Sequence, residues 1–217
     1  MPRDPAPCGR MAAQKKSPVA SERDEEARGL WKWLASRFDA GRLVFVDESG
    51  FSISMMRLRA RAPKGKRAYG KVPRNRGKNQ TLIASMTLEG GMGASMTIEG
   101  GTDAPVFEAY VEKELAPSLV AGQVVVFDRL GAHRTGKARE LIEARGCEVV
   151  FLPSYSPDLN PIEEAFSKIK NLVRKAGERT REELDRAIAQ ALKAVTLRDV
   201  VGWFAHCGCY ESKAQYS

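Results

Sequence analysis

The chain has 217 residues, 43% of them hydrophobic and 29% charged, which is typical of a soluble globular protein with one large domain. Its apolar runs are too short to cross a bilayer, and no secretory signal pattern occurs, so we expect a cytoplasmic protein without membrane contact. The 35 Lys and Arg residues outnumber 27 acids, and the net charge of +8 favours a polyanionic partner. The four cysteines lack the spacing of a zinc site, so we expect free thiols, with His206 in a structural role.

The first 40 residues divide into two parts. Residues 1–20 contain prolines and basic residues without apolar periodicity, which predicts a disordered basic arm. Residues 21–40 predict a short helical lead-in that is capped by Ser21. Its apolar stripe consists of Leu30, Trp33, Leu34 and Phe38. The remainder, residues 41–217, predicts a single α/β domain.

Apolar runs without polar alternation predict the central strands of a sheet that is covered on both faces. These runs are 43–46, 124–127 and 147–152. After the first run we expect a turn around Gly50. The repeated motifs SMTLEGG (85–91) and SMTIEGG (95–101), with Gly-Met-Gly between them, predict an antiparallel hairpin. The fold class is therefore α/β, with a mixed five-stranded sheet and helices on both faces.

Helix caps complete the layout. Asp103 or Thr102 can cap a helix that runs to Leu115, and Thr135 can begin one that ends at Gly146. Two further helices are predicted by the capping boxes Thr180-x-x-Glu183 and Thr196-x-x-Asp199.

Two of the predicted strands end in an acid. Asp47 directly follows residues 43–46, and Asp128 directly follows residues 124–127. Ligand sites in α/β sheets gather outside the carboxyl ends of strands, so these carboxylates can share a divalent cation that removes their mutual repulsion. Alternation along the strand turns Glu48 to the opposite side from Asp47. Glu48 is therefore at best a residue that surrounds the metal ligands without binding the metal itself.

Glu163 allows two interpretations. If Asn160 caps the helix and Pro161 is its first residue, Glu163 occupies the third position, where an acid completes a capping box and suits the helix dipole. The motif alone favours this capping role. Alternatively, Glu163 is a metal ligand beside a phosphate track, because it lies at the edge of the core stripe and is followed along its row by Lys170 and Arg174.

Residues 57–78, the basic segment, contain ten Lys or Arg residues and no acid. Glycines and prolines interrupt the segment, so it is either a solvated loop or, as we favour, a surface that contacts phosphates. His133 allows a similar contact, a role beside the metal ligands, or a structural hydrogen bond. The expected DNA contacts are Arg57, Arg59, Arg61, Lys64, Lys66, Arg67, Lys71, Arg74, Arg76, Lys78, His133, Lys170 and Arg174.

Three blocks, DESGF, FDRLGAHR and LPSYSPDLNPIEEAFSKIK, resemble those of the bacterial insertion-sequence transposases of the mariner superfamily. The resemblance implies an RNase H-like catalytic domain whose three metal-binding acids fall on Asp47, Asp128 and Glu163. The 34 residues between Asp128 and Glu163 are a separation typical of this branch, so the resemblance favours the metal role of Glu163. It also implies two Mg²⁺ ions, for which Mn²⁺ can substitute, double-stranded DNA as partner, insertion at TA dinucleotides and a homodimer near the nucleoid.

The chain departs from the family pattern in two ways. Arg129 stands where the family usually has Asn after the second acid, and a guanidinium there can compete for the carboxylate or hold a phosphate. The family also carries helix-turn-helix modules before its catalytic domain, so we expect this chain to be the catalytic half of a truncated or split reading frame.

These observations lead to a first hypothesis with two alternatives. The first is a metal-dependent enzyme that cuts and joins DNA strands, in which one ion activates the attacking hydroxyl and the other stabilises the leaving oxygen. The second is an inactive remnant that still binds DNA, because of Arg129 or the missing modules. The third is an RNase H-like nuclease that acts on another nucleic acid.

Overall fold

The computed structural model describes residues 20–57, 60–75 and 77–210, without the side chains of residues 132 and 134. The chain begins with helix α1 (Glu25–Ala35), a short 3₁₀ turn (Ala40–Arg42), strand β1 (Leu43–Phe51) and the hairpin strands β2 (Gln80–Thr87) and β3 (Gly91–Glu99). Helix α2 (Ala104–Tyr110) continues through a wider π-type stretch (Val111–Leu115) into the short α3 (Ala116–Ser118). The following elements are β4 (Val124–Phe127), a 3₁₀ turn (Gly131–Arg134), α4 (Gly136–Glu143), β5 (Glu148–Phe151), a 3₁₀ turn (Pro157–Leu159), α5 (Pro161–Ala176), α6 (Arg181–Lys193) and α7 (Leu197–His206).

The five strands form one mixed sheet in the order β3-β2-β1-β4-β5. β1 pairs antiparallel with β2 and parallel with β4, while β5 lies parallel to β4. Side chains alternate between two cores: Leu43 and Phe45 face α5, α6 and α7, whereas Val44 and Val46 face α2 and α4. The predicted α/β class, the mixed five-stranded sheet and the helices on both faces are confirmed. Among the described helices, none is long and apolar enough to cross a membrane.

The predicted end of the first strand was wrong. β1 continues through Asp47 to Phe51, and Gly50 pairs with Thr81 in β2 where a turn was expected. The strand continues because β2 is eight residues long and offers antiparallel partners along this whole stretch. Pairing between β1 and β4 nevertheless stops at Phe45, so Asp47 still lies beyond the end of its parallel neighbour.

The lead-in helix also differs from the prediction. It starts at Glu25, and its cap is Asp24, whose side chain accepts a hydrogen bond from the Ala27 amide; Ser21 lies outside it. Leu30 and Trp33 are exposed, whereas the buried residues are Arg28, Trp31 and Ala35. Trp31 and Ala35 pack into the core beneath β1, so α1 is joined to the sheet domain.

Other local predictions were largely confirmed. The hairpin forms, but its turn lies at residues 88–90, and Gly91-Met92-Gly93 belongs to β3. Asp103 and Thr135 cap α2 and α4 as expected. Both capping boxes are present, at Thr180 and at Thr196. The predicted disordered arm, residues 1–20, lies outside the described residues except for Ala20, and the proposed division into three parts stays a prediction.

Candidate active site

Asp47 is a nearly buried carboxylate in the middle of β1, with only 6% of its surface exposed. Its Oδ1 accepts a hydrogen bond from the Glu48 amide, and its Oδ2 accepts one from Nδ2 of Asn160, both at 2.8 Å. The register that pairs Phe45 with Val126, continued by two residues, places Asp47 beside Asp128. Neighbouring strands lie about 4.8 Å apart, so the sheet itself brings two acids together.

Asp128 follows β4 and is held by a buried histidine. Its Oδ1 accepts hydrogen bonds from the Leu130 amide at 3.1 Å and from Nδ1 of His133 at 2.5 Å. The other ring nitrogen, Nε2, donates to Glu48 at 2.7 Å. The hydrogen bonds that link Asp128 to His133 and His133 to Glu48 therefore fix the orientation of the Asp128 carboxylate. Glu48 lies on the opposite side of β1 from Asp47, as the alternation along the strand predicted.

His133 is protonated in this arrangement. Burial lowers the pKa of the imidazole, but its hydrogen bonds to Asp128 and Glu48 outweigh burial and raise the pKa to about 9. The ring packs against Phe107, with centroids 4.3 Å apart, and near Phe127. Its side chain has no exposed surface, so the expected direct contact of His133 with DNA was wrong: a ring enclosed by two acids and two aromatics cannot reach a phosphate.

Glu163 lies in the first turn of α5, one residue beyond the buried Ile162. Asn160 occupies the cap position, but its side chain makes no cap hydrogen bond: its Nδ2 donates to Asp47, and its Oδ1 accepts no hydrogen bond from the first turn of α5. Its backbone N–H bonds the Pro157 carbonyl, so the reciprocal capping box does not form. The carboxylate of Glu163 is thus available to the space in front of Asp47.

The acids Asp47, Asp128 and Glu163 line one cleft of about 360 Å³. Loss of water around Asp47, followed by repulsion from Glu163 and then Asp128, raises the pKa of Asp47 to about 8. Loss of water also raises the pKa of Glu163; Lys170 opposes this rise, and Asp128 and Glu48 add to it. Burial and neighbouring carboxylates thus hinder the ionisation of both Asp47 and Glu163, which makes the cleft a favourable environment for a cation.

The donors of this cleft fit a hard divalent metal, because they are all oxygens. Asn160 contributes a further oxygen: its Oδ1 is buried next to Asp47 and has no hydrogen-bond partner among the described residues. The three carboxylates do not close around one point, since no choice of one oxygen from each brings all three within 4.8 Å of one another. Asp47, Asp128 and Glu163 could therefore hold metal at more than one position along the cleft, and not at one common point.

Arg129 lies at the wall of the cleft and is exposed to solvent. Among the described contacts, its guanidinium forms no ion pair with Asp47, Asp128 or Glu163. Arg129 therefore does not compete with a cation for these carboxylates, and it lies where it can meet a negatively charged group that enters the cleft.

A family model described as "DDE superfamily endonuclease" matches residues 42–185, about two thirds of the chain. The chain belongs to this family. The matched region contains Asp47, Asp128 and Glu163 and thus every acid that the sequence placed in the site. A search of curated proteins found no match.

The fold of the chain is that of the Mos1 transposase catalytic domain, the predicted RNase H-like fold. The Mos1 paired-end complex with left transposon end superposes with a TM-score of 0.69 at 18% identity, covering 93% of this chain and 64% of that chain. The mariner Mos1 paired-end complex with Mg gives 0.71 at 17% identity, covering 92% and 65%. The isolated Mos1 catalytic domain gives 0.57 at 14% identity, covering 92% and 100%. The chain thus spans about two thirds of the Mos1 chain in the complexes.

The basic segment has neither helix nor strand in its described part, and its Lys and Arg side chains there are exposed. Arg59 and Arg76 lie outside the described residues. Arg179 anchors the segment: it donates hydrogen bonds to the carbonyls of Ile53 and Met55 at 3.0 Å and of Lys71 at 3.3 Å. Two cations of the basic segment, Arg57 and Lys71, line one groove together with Arg174. Lys78 instead forms an ion pair with Glu99 at 3.3 Å.

Sequence reasoning missed two links of the site. Asn160 was assigned to the helix cap, and only the closeness of α5 to β1 reveals its bond to Asp47. The buried Arg28 of α1 donates two hydrogen bonds to Asp158, at 3.0 and 2.5 Å, and so secures the turn before α5. An arginine among the apolar positions of α1 was the only signal for this link, and its partner is 130 residues away.

Proposed function

We propose that this chain is the catalytic domain of a transposase that cuts DNA strands and joins them to new sites in the presence of divalent metal. One observation carries the proposal: in a member of the DDE endonuclease family, Asp47, Asp128 and Glu163 line the same cleft at the end of β4. The similar Mos1 structures are a paired-end complex with a transposon end, a strand transfer complex, and paired-end complexes with Mg or Mn. They support DNA and a divalent cation as ligands here.

We infer that two Mg²⁺ ions, replaceable by Mn²⁺, bind between Asp47, Asp128 and Glu163, where they would activate the attacking hydroxyl and stabilise the leaving oxygen. The residues of the chain have separate tasks in this scheme. Asp47 is held by the Asn160 amide and Asp128 by His133, so both present fixed oxygens to the cleft. Arg129, at the cleft wall, would contact a phosphate of the bound strand.

DNA would approach along the side of the cleft that carries positive charge. Lys170 is close enough to Glu163 to affect its pKa, and Arg174 lines a groove with Arg57 and Lys71 of the basic segment. Cations at these positions would bind backbone phosphates without selecting a sequence. Transposon ends and target DNA as the duplex partners, action as a homodimer and a cytoplasmic location at the nucleoid belong to the same proposal.

The test is cleavage of supercoiled plasmid by purified protein with Mg²⁺, with Mn²⁺ or with EDTA. We expect nicking only with metal, and Asp128→Asn should lower the rate at least a hundredfold, because it removes a ligand charge. The matched control is Glu140→Gln, which neutralises an exposed acid on α4 and should retain the wild-type rate. Equal rates for wild type and Asp128→Asn would refute the assignment.

The two alternative functions predict different results in the same assay. An inactive remnant would bind plasmid without nicking it at any metal concentration. Asp47, Asp128 and Glu163 line one cleft, and Arg129 forms no ion pair with any of them among the described contacts, which favours an active site over a remnant. An RNase H-like nuclease would cut an RNA–DNA hybrid faster than duplex DNA, so both substrates should be compared at equal concentration.

A further inference from the structure

A second group of ligand-type side chains lies at the end of α7, outside the catalytic cleft. Glu164 projects from the first turn of α5, His206 is the last residue of α7, and Cys207 follows it as the helix cap. One ligand atom from each lies within 4.8 Å of the other two. Glu164 borders a different groove from that of its neighbour Glu163, so the two acids serve separate places.

We propose that Glu164, His206 and Cys207 form a binding site for a zinc-type divalent ion. The donor set decides the class of ion, because thiolate and imidazole select Zn²⁺ and similar transition metals over Mg²⁺. In tetrahedral zinc sites, metal–ligand distances of about 2.0–2.3 Å place the ligand atoms about 3–4 Å apart. The ligand atoms of the observed cluster, all within 4.8 Å of one another, lie close to that spacing.

The fold supplies the placement. The chain turns sharply after Cys207 at Gly208, which has a left-handed φ of +74°, and the thiol of Cys207 lies within 4.8 Å of the Glu164 carboxylate on α5. Cys207 is buried, with 6% of its surface exposed, while 77% of the His206 side chain is exposed. One side of the site is therefore closed by protein and the other is open, so that water can complete the coordination.

A surface ion pair is the competing explanation. Nδ1 of His206 is hydrogen-bonded to Oε1 of Glu164, and this pair alone accounts for two of the three side chains. It does not account for the thiol beside them. Burial, followed by the nearby Cys209, Glu164 and Asp158, raises the pKa of Cys207 to about 12, so the thiol is neutral without metal and binding must release its proton.

Cobalt(II) distinguishes the two explanations, because only a cobalt–thiolate bond produces a charge-transfer band in the near ultraviolet. We suggest titrating the full-length protein with Co²⁺ in excess Mg²⁺, so that Mg²⁺ competes for the carboxylate cleft. The background should carry Cys8→Ser and Cys147→Ser, which leaves the thiols at 207 and 209. We expect the band to saturate at one equivalent and to disappear when Zn²⁺ is added.

Cys207→Ser should abolish the band, and His206→Ala should weaken Co²⁺ binding at least tenfold. His206 is exposed, so its replacement tests the site even if Cys207→Ser impairs folding. The proposal is overturned if the parent protein shows no band, if the band survives Cys207→Ser, or if His206→Ala binds Co²⁺ as tightly as the parent. A matched control, Lys193→Ala on the surface of α6, should leave the band unchanged.

Discussion

The ionisation of Asp47 makes the stability of the metal-free protein depend on pH. The carboxyl has a pKa of about 8 in the folded protein and an ordinary value of 3.8. Between these values the unfolded chain has released this proton while the folded protein retains it, so stability falls as pH rises. Asp47→Asn removes the group that titrates and keeps the side-chain shape, which makes it a suitable perturbation.

The size of the effect follows from the two pKa values. Each tenfold change in proton concentration is worth about 1.4 kcal/mol, so the full loss is up to about 6 kcal/mol. About 2 kcal/mol of this stability is lost by pH 5.5 and nearly all of it by pH 8.5. The free energy of unfolding should therefore fall by about 3–4 kcal/mol between these two pH values. The stability contributed by His133, whose pKa is raised to about 9, also falls with rising pH. It is common to wild type and variant and cancels in their difference.

The assay is urea unfolding of both proteins in EDTA at pH 5.5 and pH 8.5, followed by circular dichroism. We expect the free energy of unfolding of Asp47→Asn, relative to wild type, to rise by about 3 kcal/mol between these pH values. With Mn²⁺ present at pH 8.5, the wild type should regain stability and the variant should gain little. Glu140→Gln should show no change with pH relative to wild type. A flat difference for Asp47→Asn would refute the electrostatic account of the cleft.

Three further predictions concern the surroundings of the cleft. Asn160→Ala removes the amide donor from Asp47, so half-maximal cleavage should need about tenfold more Mn²⁺. Asp158→Asn leaves the buried Arg28 without its carboxylate and should destabilise the protein by about 2–3 kcal/mol in urea unfolding, more than Arg28→Met, which removes the buried charge. Replacing three cations of the basic segment should reduce the slope of log binding constant against log salt concentration by about 2–3. A triple replacement on the opposite face of the sheet should leave this slope unchanged. The two triple variants are Lys64/Lys66/Arg67→Ala and Lys113/Lys137/Arg139→Ala.

Sequence reasoning predicted the parts of the site that depend on local patterns. Apolar runs located the strands, and alternation along β1 correctly placed Asp47 and Glu48 on opposite sides. Caps located α2, α4, α6 and α7, because these hydrogen bonds join residues only three positions apart. The extent of β1 could not be found this way, since it depends on the partner strand β2, which follows after the basic segment.

The contacts that orient the acids were beyond the reach of sequence patterns. The sequence allows a DNA contact for His133, yet the 3₁₀ turn after β4 places its ring between Asp128 and Glu48. The role of Asn160 was hidden by an equally good local explanation, the helix cap. In both cases a polar side chain had several partners within chemical reach, and only the tertiary structure selects one.

The segment Asp158–Glu163 shows why the third acid is placed so reliably. Asp158 binds Arg28 of α1, Asn160 binds Asp47 of β1, and Ile162 is fully buried in the core. These three attachments fix the start of α5 in position and in rotation, and Glu163 is the next residue. Because each residue of a helix turns by about 100°, one inserted residue would rotate the acid away from the cleft. The position of Glu163 is therefore determined by the packing of the fold, while Asp47 and Asp128 are determined by the register of the sheet.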